Sequence, residues 1–181
     1  MRREIYDGRV VNLALEEVEL PNGARTTLEV MHHPGAAAAV PLFPDGTVTL
    51  LRQYRHAVGG WLWEVPAGKL DKPGEDPLEC AQRELGEEAG LAAGRWDKLG
   101  SIYTTPGFCD EIIHLYLARD LRDVPREHEE DEVIEVHRMP LVDALAMIPR
   151  EELQDTKSIA ALQATALRFG AGPEAGWIDR I

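Results

Sequence analysis

Alternation of apolar and polar positions dominates the first third of the chain. Leu13, Leu15, Val18 and Leu20 lead into Pro21-Asn22-Gly23, and Thr26, Leu28 and Val30 leave it at the same period. Period-2 spacing on both sides of an Asn-Gly turn predicts a β-hairpin. A second apolar run, Ala36 to Phe43, meets Pro44-Asp45-Gly46 and continues as Thr47 to Leu51, which predicts a second hairpin. His32-His33-Pro34-Gly35 lies between the two as a hinge. The pattern therefore places a small N-terminal β unit over residues 1–35 and the main domain over 36–181. The exposed strands of so small a unit need a partner.

Trp61 to Val65 reads as a further short strand, broken by Pro66-Ala67-Gly68. The period then changes to that of a helix. Leu78, Ala81, Leu85 and Ala89 form an apolar stripe, Asp76 can cap, Pro77 suits the first helical position, Glu79 completes a capping box and Gly90 stops the run. These signals predict a helix over Pro77–Ala89. Ile102-Tyr103, Ile112 to Ala118 and Glu132 to Arg138 read as strands, and Leu141 to Ile148 as a short helix. Thr156 to Phe169 reads as a longer helix with Ile159, Leu162, Ala166 and Phe169 on one stripe. The fold class expected is α/β, a mixed sheet between helices with a small antiparallel N-terminal sheet.

Composition narrows the function. The chain has 181 residues, 32 acidic against 19 basic, and a formal charge of −13. A net acidic surface excludes binding to nucleic acid through phosphate neutralisation, and an anionic ligand would need local arginines or cations. The longest uncharged apolar stretch, Ala36 to Phe43, is far shorter than the roughly 20 residues of a membrane span, so no membrane association is expected. Met1-Arg2-Arg3-Glu4-Ile5-Tyr6-Asp7 returns to charge before an apolar leader core can form. Cys80 and Cys109 form neither metal-ligand spacing nor a disulfide framework, which fits a cytoplasmic protein.

Candidate chemistry concentrates on the predicted helix. Glu84, Glu87 and Glu88 stand at i, i+3 and i+4 and fall within one 100° arc. Like charges so placed destabilise a bare helix and raise one another's pKa. A divalent cation removes the conflict, and oxygen-only ligands select Mg²⁺, Mn²⁺ or Ca²⁺ over zinc. A solvated acidic face has the same spacing, so the surrounding residues decide.

Gly68, Glu75 and the run Arg83-Glu84-Leu85-Gly86-Glu87-Glu88-Ala89-Gly90-Leu91 closely resemble the Nudix box, G-x5-E-x7-R-E-U-x-E-E-x-G-U with U a bulky aliphatic residue. The chain departs from it once, with six residues rather than five between Gly68 and Glu75 and Pro73 as the insertion. Pro106, 15 residues after Leu91, lies in Tyr103-Thr104-Thr105-Pro106-Gly107-Phe108 and is similar to the marker of the ADP-ribose pyrophosphatase branch. Arg52-Gln53-Tyr54-Arg55, Pro66-Ala67-Gly68 and the acidic stretch Glu129 to Glu135 also resemble that branch.

The resemblance implies a Nudix-like fold and metal-dependent hydrolysis of ADP-ribose to AMP and ribose 5-phosphate, with Mg²⁺ or Mn²⁺. It implies Glu84 and Glu88 as metal ligands, Glu87 as a ligand directly or through water, and the Ala67 carbonyl as a further ligand. Arg83 would organise the carboxylates, with Glu75 in support. Within the Glu127–Glu132 segment it implies Glu130 as general base and Glu132 as metal ligand. Arg55 is the candidate phosphate contact, since a bidentate guanidinium suits phosphate geometry, with a surface ion pair as the alternative, and the resemblance implies Glu111 as the ribose contact. The N-terminal unit resembles one exchanged between subunits, which implies a homodimer. Competing readings are a hydrolase of another nucleoside diphosphate sugar such as GDP-mannose, a non-catalytic ADP-ribose sensor, and a structural cation-binding protein.

Overall fold

The computed structural model describes residues 1–72, 74–127 and 132–169. Three strands, β1 (Arg2–Asp7), β2 (Asn12–Glu19) and β3 (Arg25–His32), form an antiparallel sheet in the order β1-β2-β3. The β2–β3 hairpin runs from Glu19↔Arg25 to Asn12↔His32. Its turn is built as the Asn-Gly signal requires: Gly23 has φ +82 and Asn22 Oδ1 accepts from the Ala24 N–H at 3.0 Å. β1 is an addition to the sequence reading. Four of its six residues are charged, so it carries little apolar alternation, and all six are exposed.

The remaining strands are β4 (Ala36–Pro41), β5 (Thr47–Arg55), β6 (Gly60–Glu64), β7 (Ala67–Lys69), β8 (Leu91–Tyr103), β9 (Ile112–Asp123) and β10 (Ile134–Pro140). They make a mixed sheet, β7-β4-β9-β8, and an antiparallel sheet, β10-β5-β6. The helices are α1 (Pro77–Ala89), α2 (Leu141–Ala146) and α3 (Thr156–Phe169). The second hairpin expected from the sequence is corrected here. The chain does reverse at Asp45-Gly46, with the Phe43 N–H donating to Thr47 O at 2.9 Å, but β4 and β5 share only the bridge Leu42↔Val48 and enter different sheets. The reason is burial: every residue of β4 is buried, and a run apolar on both faces is satisfied only inside a sheet covered on both sides. β4 accordingly pairs parallel with β9 and antiparallel with β7.

The two faces of β4 meet different partners. Ala36, Ala38 and Val40 join Leu115, Leu117, Val48, Leu50, Leu141 and Leu162 in the main core. Ala37 and Ala39 meet Cys80 and Ala81 of α1 with Tyr116. Alanine at each contact lets the α1 backbone lie close to the sheet, which sets where its acidic face emerges. On α3 the buried side is Ser158, Ala161, Leu162, Thr165 and Phe169 rather than the purely apolar stripe, because Ser158 and Thr165 satisfy their hydroxyls locally. Among the described residues no helix is long and apolar enough to cross a membrane.

Candidate active site

The helix α1 begins and ends as its sequence signals dictate. Asp76 Oδ1 accepts from the Leu78 N–H at 2.8 Å, and Gly90 closes the helix at φ +67. Leu85 and Ala81 are buried and fix the rotation of the helix. That rotation carries Glu88 inward, where it is only 2% exposed, and its Oε2 accepts from the Ala67 N–H at 2.8 Å. Glu84, one turn earlier, is also largely buried.

Burial dominates the electrostatics of this pair. It pushes the Glu84 carboxyl up to about 7, and the Glu87 and Glu132 charges add to that against the pull of Arg83. Glu88 is pushed up to about 8 by burial together with the charges of Glu84 and Glu132. The structure thus brings Glu84, Glu88 and Glu132 within electrostatic reach of one another. It does not gather them into a finished cage: among the described residues no three acidic, histidine or cysteine side chains converge as a metal-ligand set. Arg83 holds Glu84 and Glu87 on its guanidinium, with Nη1 donating to them at 2.6 and 2.9 Å.

Arg83 organises more than those two. Its Nε and Nη2 donate to Glu75 at 3.0 and 3.2 Å, and Nη2 also reaches the Lys69 carbonyl at 3.3 Å. Glu75 therefore keeps its supporting position despite the extra residue in the preceding loop; Pro73 itself lies outside the described residues. Opposite Glu84 runs β7, where a Cβ on Gly68 would fall 1.8 Å from Glu84 Oε1. Glycine is required here for close approach, not for its backbone angles. The Cys80 thiol donates to the Gly68 and Lys69 carbonyls at 3.4 and 3.3 Å, and burial with the nearby Glu84 charge pushes it up to about 12. It is a structural thiol, not a reactive one.

Arg55 is not a lone surface guanidinium. Its Nε and Nη2 each donate to Glu64 at 2.8 Å, and Lys157 at the start of α3 donates to the same carboxylate at 2.5 Å. Glu64 is buried, and it went unnoticed in the sequence because a single acid in Trp-Leu-Trp-Glu-Val carries no spacing signal. Burial alone would raise its pKa, but the Arg55 bonds and the Lys157 charge prevail and hold it at about 2. The sign of the consequence is fixed: the folded value lies below the unfolded 4.5, so the stabilisation is full above about pH 4.5 and disappears as pH falls towards 2. Its full extent is up to about 3 kcal/mol. Urea midpoints measured from pH 6 to pH 3 should therefore fall more steeply for the wild type than for Glu64→Gln; parallel slopes would remove this assignment.

Glu111 lies in the loop before β9, where it accepts from the Thr104 hydroxyl at 2.8 Å and stands 3.4 Å from His33 Nδ1. Glu130 lies outside the described residues. The structure thus joins Arg83, Glu84, Glu87 and Glu88 with the Ala67 backbone and sets the charge of Glu132 near them. Arg55 is linked to that centre through the field of Glu88. Glu64, Lys157 and the cradle at Gly68 are the parts that sequence reasoning missed.

Comparison with known proteins identifies the family. The NUDIX domain model matches residues 31–162. The chain is 40% identical over 169 residues to an ADP-ribose pyrophosphatase of Bacillus subtilis, covering 92% of this chain and 91% of that protein. It is 39% identical over 183 residues to an ADP-ribose pyrophosphatase of Mycobacterium tuberculosis, covering 97% and 88%. The crystal structure of an ADP compounds hydrolase superposes with a TM-score of 0.79 at 23% identity, covering 92% of this chain and 90% of that one, which shows the shared α/β fold. A carboxylate helix clamped by Arg83 against a glycine strand, in a chain so matched, belongs to the NUDIX family as one of its pyrophosphatases.

Proposed function

We propose that the protein hydrolyses the pyrophosphate bond of ADP-ribose to AMP and ribose 5-phosphate with a divalent cation, Mg²⁺ or Mn²⁺. The observation that carries this reading is the buried pair Glu84 and Glu88, one helical turn apart, whose charges repel each other and that of Glu132. Two such carboxylates have a use for a hard cation that a solvated acidic face does not. Glu84, Glu88, Glu132 and the Ala67 carbonyl would hold it, with Glu87 assisting once released from Arg83. When bound, the cation neutralises the pyrophosphate and stabilises charge developing on its oxygens.

The remaining roles fall to the chain itself. Arg83 anchors Glu75 through two bonds and holds Glu84 and Glu87 beside one another until they take up the cation. Arg55, held by Glu64 and still 41% exposed at its side chain, supplies positive charge to the phosphates. Glu111 orients the ribose. Glu130 takes a proton from water as the water oxygen attacks phosphorus; the bond from phosphorus to the bridging oxygen breaks and the second phosphate leaves. Glu130→Gln with full activity would remove it as base.

Residues 1–35 are proposed as a unit that forms a homodimer, supported by the exposed Ile5 and Tyr6 on the outer strand β1. The cytoplasm is the proposed location, a reading supported by Cys80 and Cys109, both free thiols. The decisive experiment is product analysis with ADP-ribose, ADP-glucose, GDP-mannose and NADH, each with Mg²⁺, Mn²⁺ or EDTA. AMP released fastest from ADP-ribose and lost in EDTA is the expected result. Preference for GDP-mannose would replace the substrate and keep the chemistry, whereas tight binding of ADP-ribose without turnover would replace the reading by a sensor. Millimolar Mg²⁺ or Mn²⁺ should also raise the unfolding temperature of the wild type, because a ligand of the folded state alone stabilises it by mass action. An unchanged unfolding temperature in Glu84→Gln and Glu88→Gln under the same ions is expected; an equal rise would place the ion elsewhere.

A further inference from the structure

The loop from Thr104 to Glu111 is fastened to the N-terminal sheet through consecutive residues. The Met31 N–H donates to Phe108 O at 2.7 Å, and the Asp110 N–H donates to Met31 O at 3.1 Å. Asp110 Oδ1 accepts from the His33 N–H at 2.8 Å, and its Oδ2 stands 2.7 Å from His32 Nδ1. The other ring nitrogen of His32 faces Glu16 Oε1 on β2 at 3.1 Å. One imidazole therefore spans from β2 to the loop, with a carboxylate on each nitrogen. The next loop residue is Glu111, held by the Thr104 hydroxyl and beside His33. His32 and His33 thus grip Asp110 and Glu111, neighbours in sequence, from one end of β3. Among the described residues the strands of the N-terminal sheet form ladders with one another, and the contacts at Met31, His32 and His33 carry the sheet to the loop.

We propose that Glu16, His32 and Asp110 form a latch through which the N-terminal sheet positions Glu111 for the sugar of the substrate. The proposal rests on Glu111 as the sugar contact. His32 and Asp110 touch no substrate; they set the backbone from which Glu111 projects, so their loss lowers affinity and leaves the chemical step alone.

The test is steady-state kinetics on the full-length protein with ADP-ribose. Asp110→Ala and His32→Ala should each raise KM about tenfold, with kcat changed less than about twofold. His32→Asn, which keeps a donor towards Asp110, should restore much of the affinity. Glu111→Gln should raise KM at least as far, and adding Asp110→Ala to it should raise KM no further, because both act through one contact. If KM rises in Glu111→Gln but not in the Asp110 and His32 variants, or if the effects multiply in the double variant, the latch is overturned. A wild-type KM in Glu111→Gln overturns instead the sugar-contact reading beneath it. Should an alanine variant fail to fold, Glu16→Ala removes the far end of the latch and leaves the backbone bonds between Met31 and the loop in place, and an unchanged KM there overturns the latch equally.

Discussion

Glu84→Gln is expected to lower turnover of ADP-ribose at least about a hundredfold, the scale of about 2.7 kcal/mol in the barrier, while the protein stays folded. The substitution keeps an oxygen that can accept from Arg83 Nη1, which now lies 2.6 Å from the carboxylate, so the clamp on α1 survives. It removes one of the negative charges that press on Glu88 in a buried setting. Without divalent cations the variant should therefore unfold at the wild-type temperature or above it. Activity lost with stability retained or gained marks a residue kept for chemistry at the expense of the fold. Thermal unfolding in EDTA beside steady-state kinetics checks both halves. Wild-type turnover would end the assignment of Glu84 as a metal ligand, and a large drop in unfolding temperature would make it a structural residue.

Gly68→Ala should reach a similar end without touching any charge. Its new Cβ would lie 1.8 Å from Glu84 Oε1 and 2.1 Å from Glu84 Cδ, far inside any permitted contact. Gly68 does not have the positive φ that would strain an alanine, so the clash falls on the far end of the Glu84 side chain. That carboxylate can swing away at little cost to the fold, but it then leaves the position facing β7. Turnover should fall more than about tenfold, with the unfolding temperature held within a few degrees. A fall in stability with unchanged turnover per folded molecule would show that Gly68 serves packing rather than the placement of Glu84.

Acid stability, cation-induced stabilisation and the latch at His32 probe other parts of the same arrangement. The first and the last depend on pairs of residues far apart in the chain. Glu64 meets Lys157, and Glu16 reaches Asp110 through His32, across separations that no local pattern reports.

Local signals were sufficient wherever a neighbour in sequence is also the physical partner. The cap at Asp76, the stop at Gly90 and the hairpin between β2 and β3 are such cases, and all are found where their residues predict them. The spacing of Glu84, Glu87 and Glu88 likewise fixes their shared helix face, because 100° per residue is a property of the backbone. The box around them, read as a pattern, pointed to the NUDIX family to which the chain belongs. The failures have a common origin. The turn after β4 suggests pairing with β5, but burial on both faces sends β4 between β7 and β9. β1 escaped notice because its residues are charged and its ladder with β2 is made by backbone groups. The carboxylate that Arg55 and Lys157 share, Glu64, is equally invisible in the sequence, because its two partners come from separate elements. By itself the sequence determined the local elements, the acidic helix face and the family, since each is written at fixed short spacing. The tertiary structure alone decided which strands share a sheet, how deeply Glu84 and Glu88 are buried, and which distant charges tune them, because burial and through-space electrostatics depend on where the chain returns.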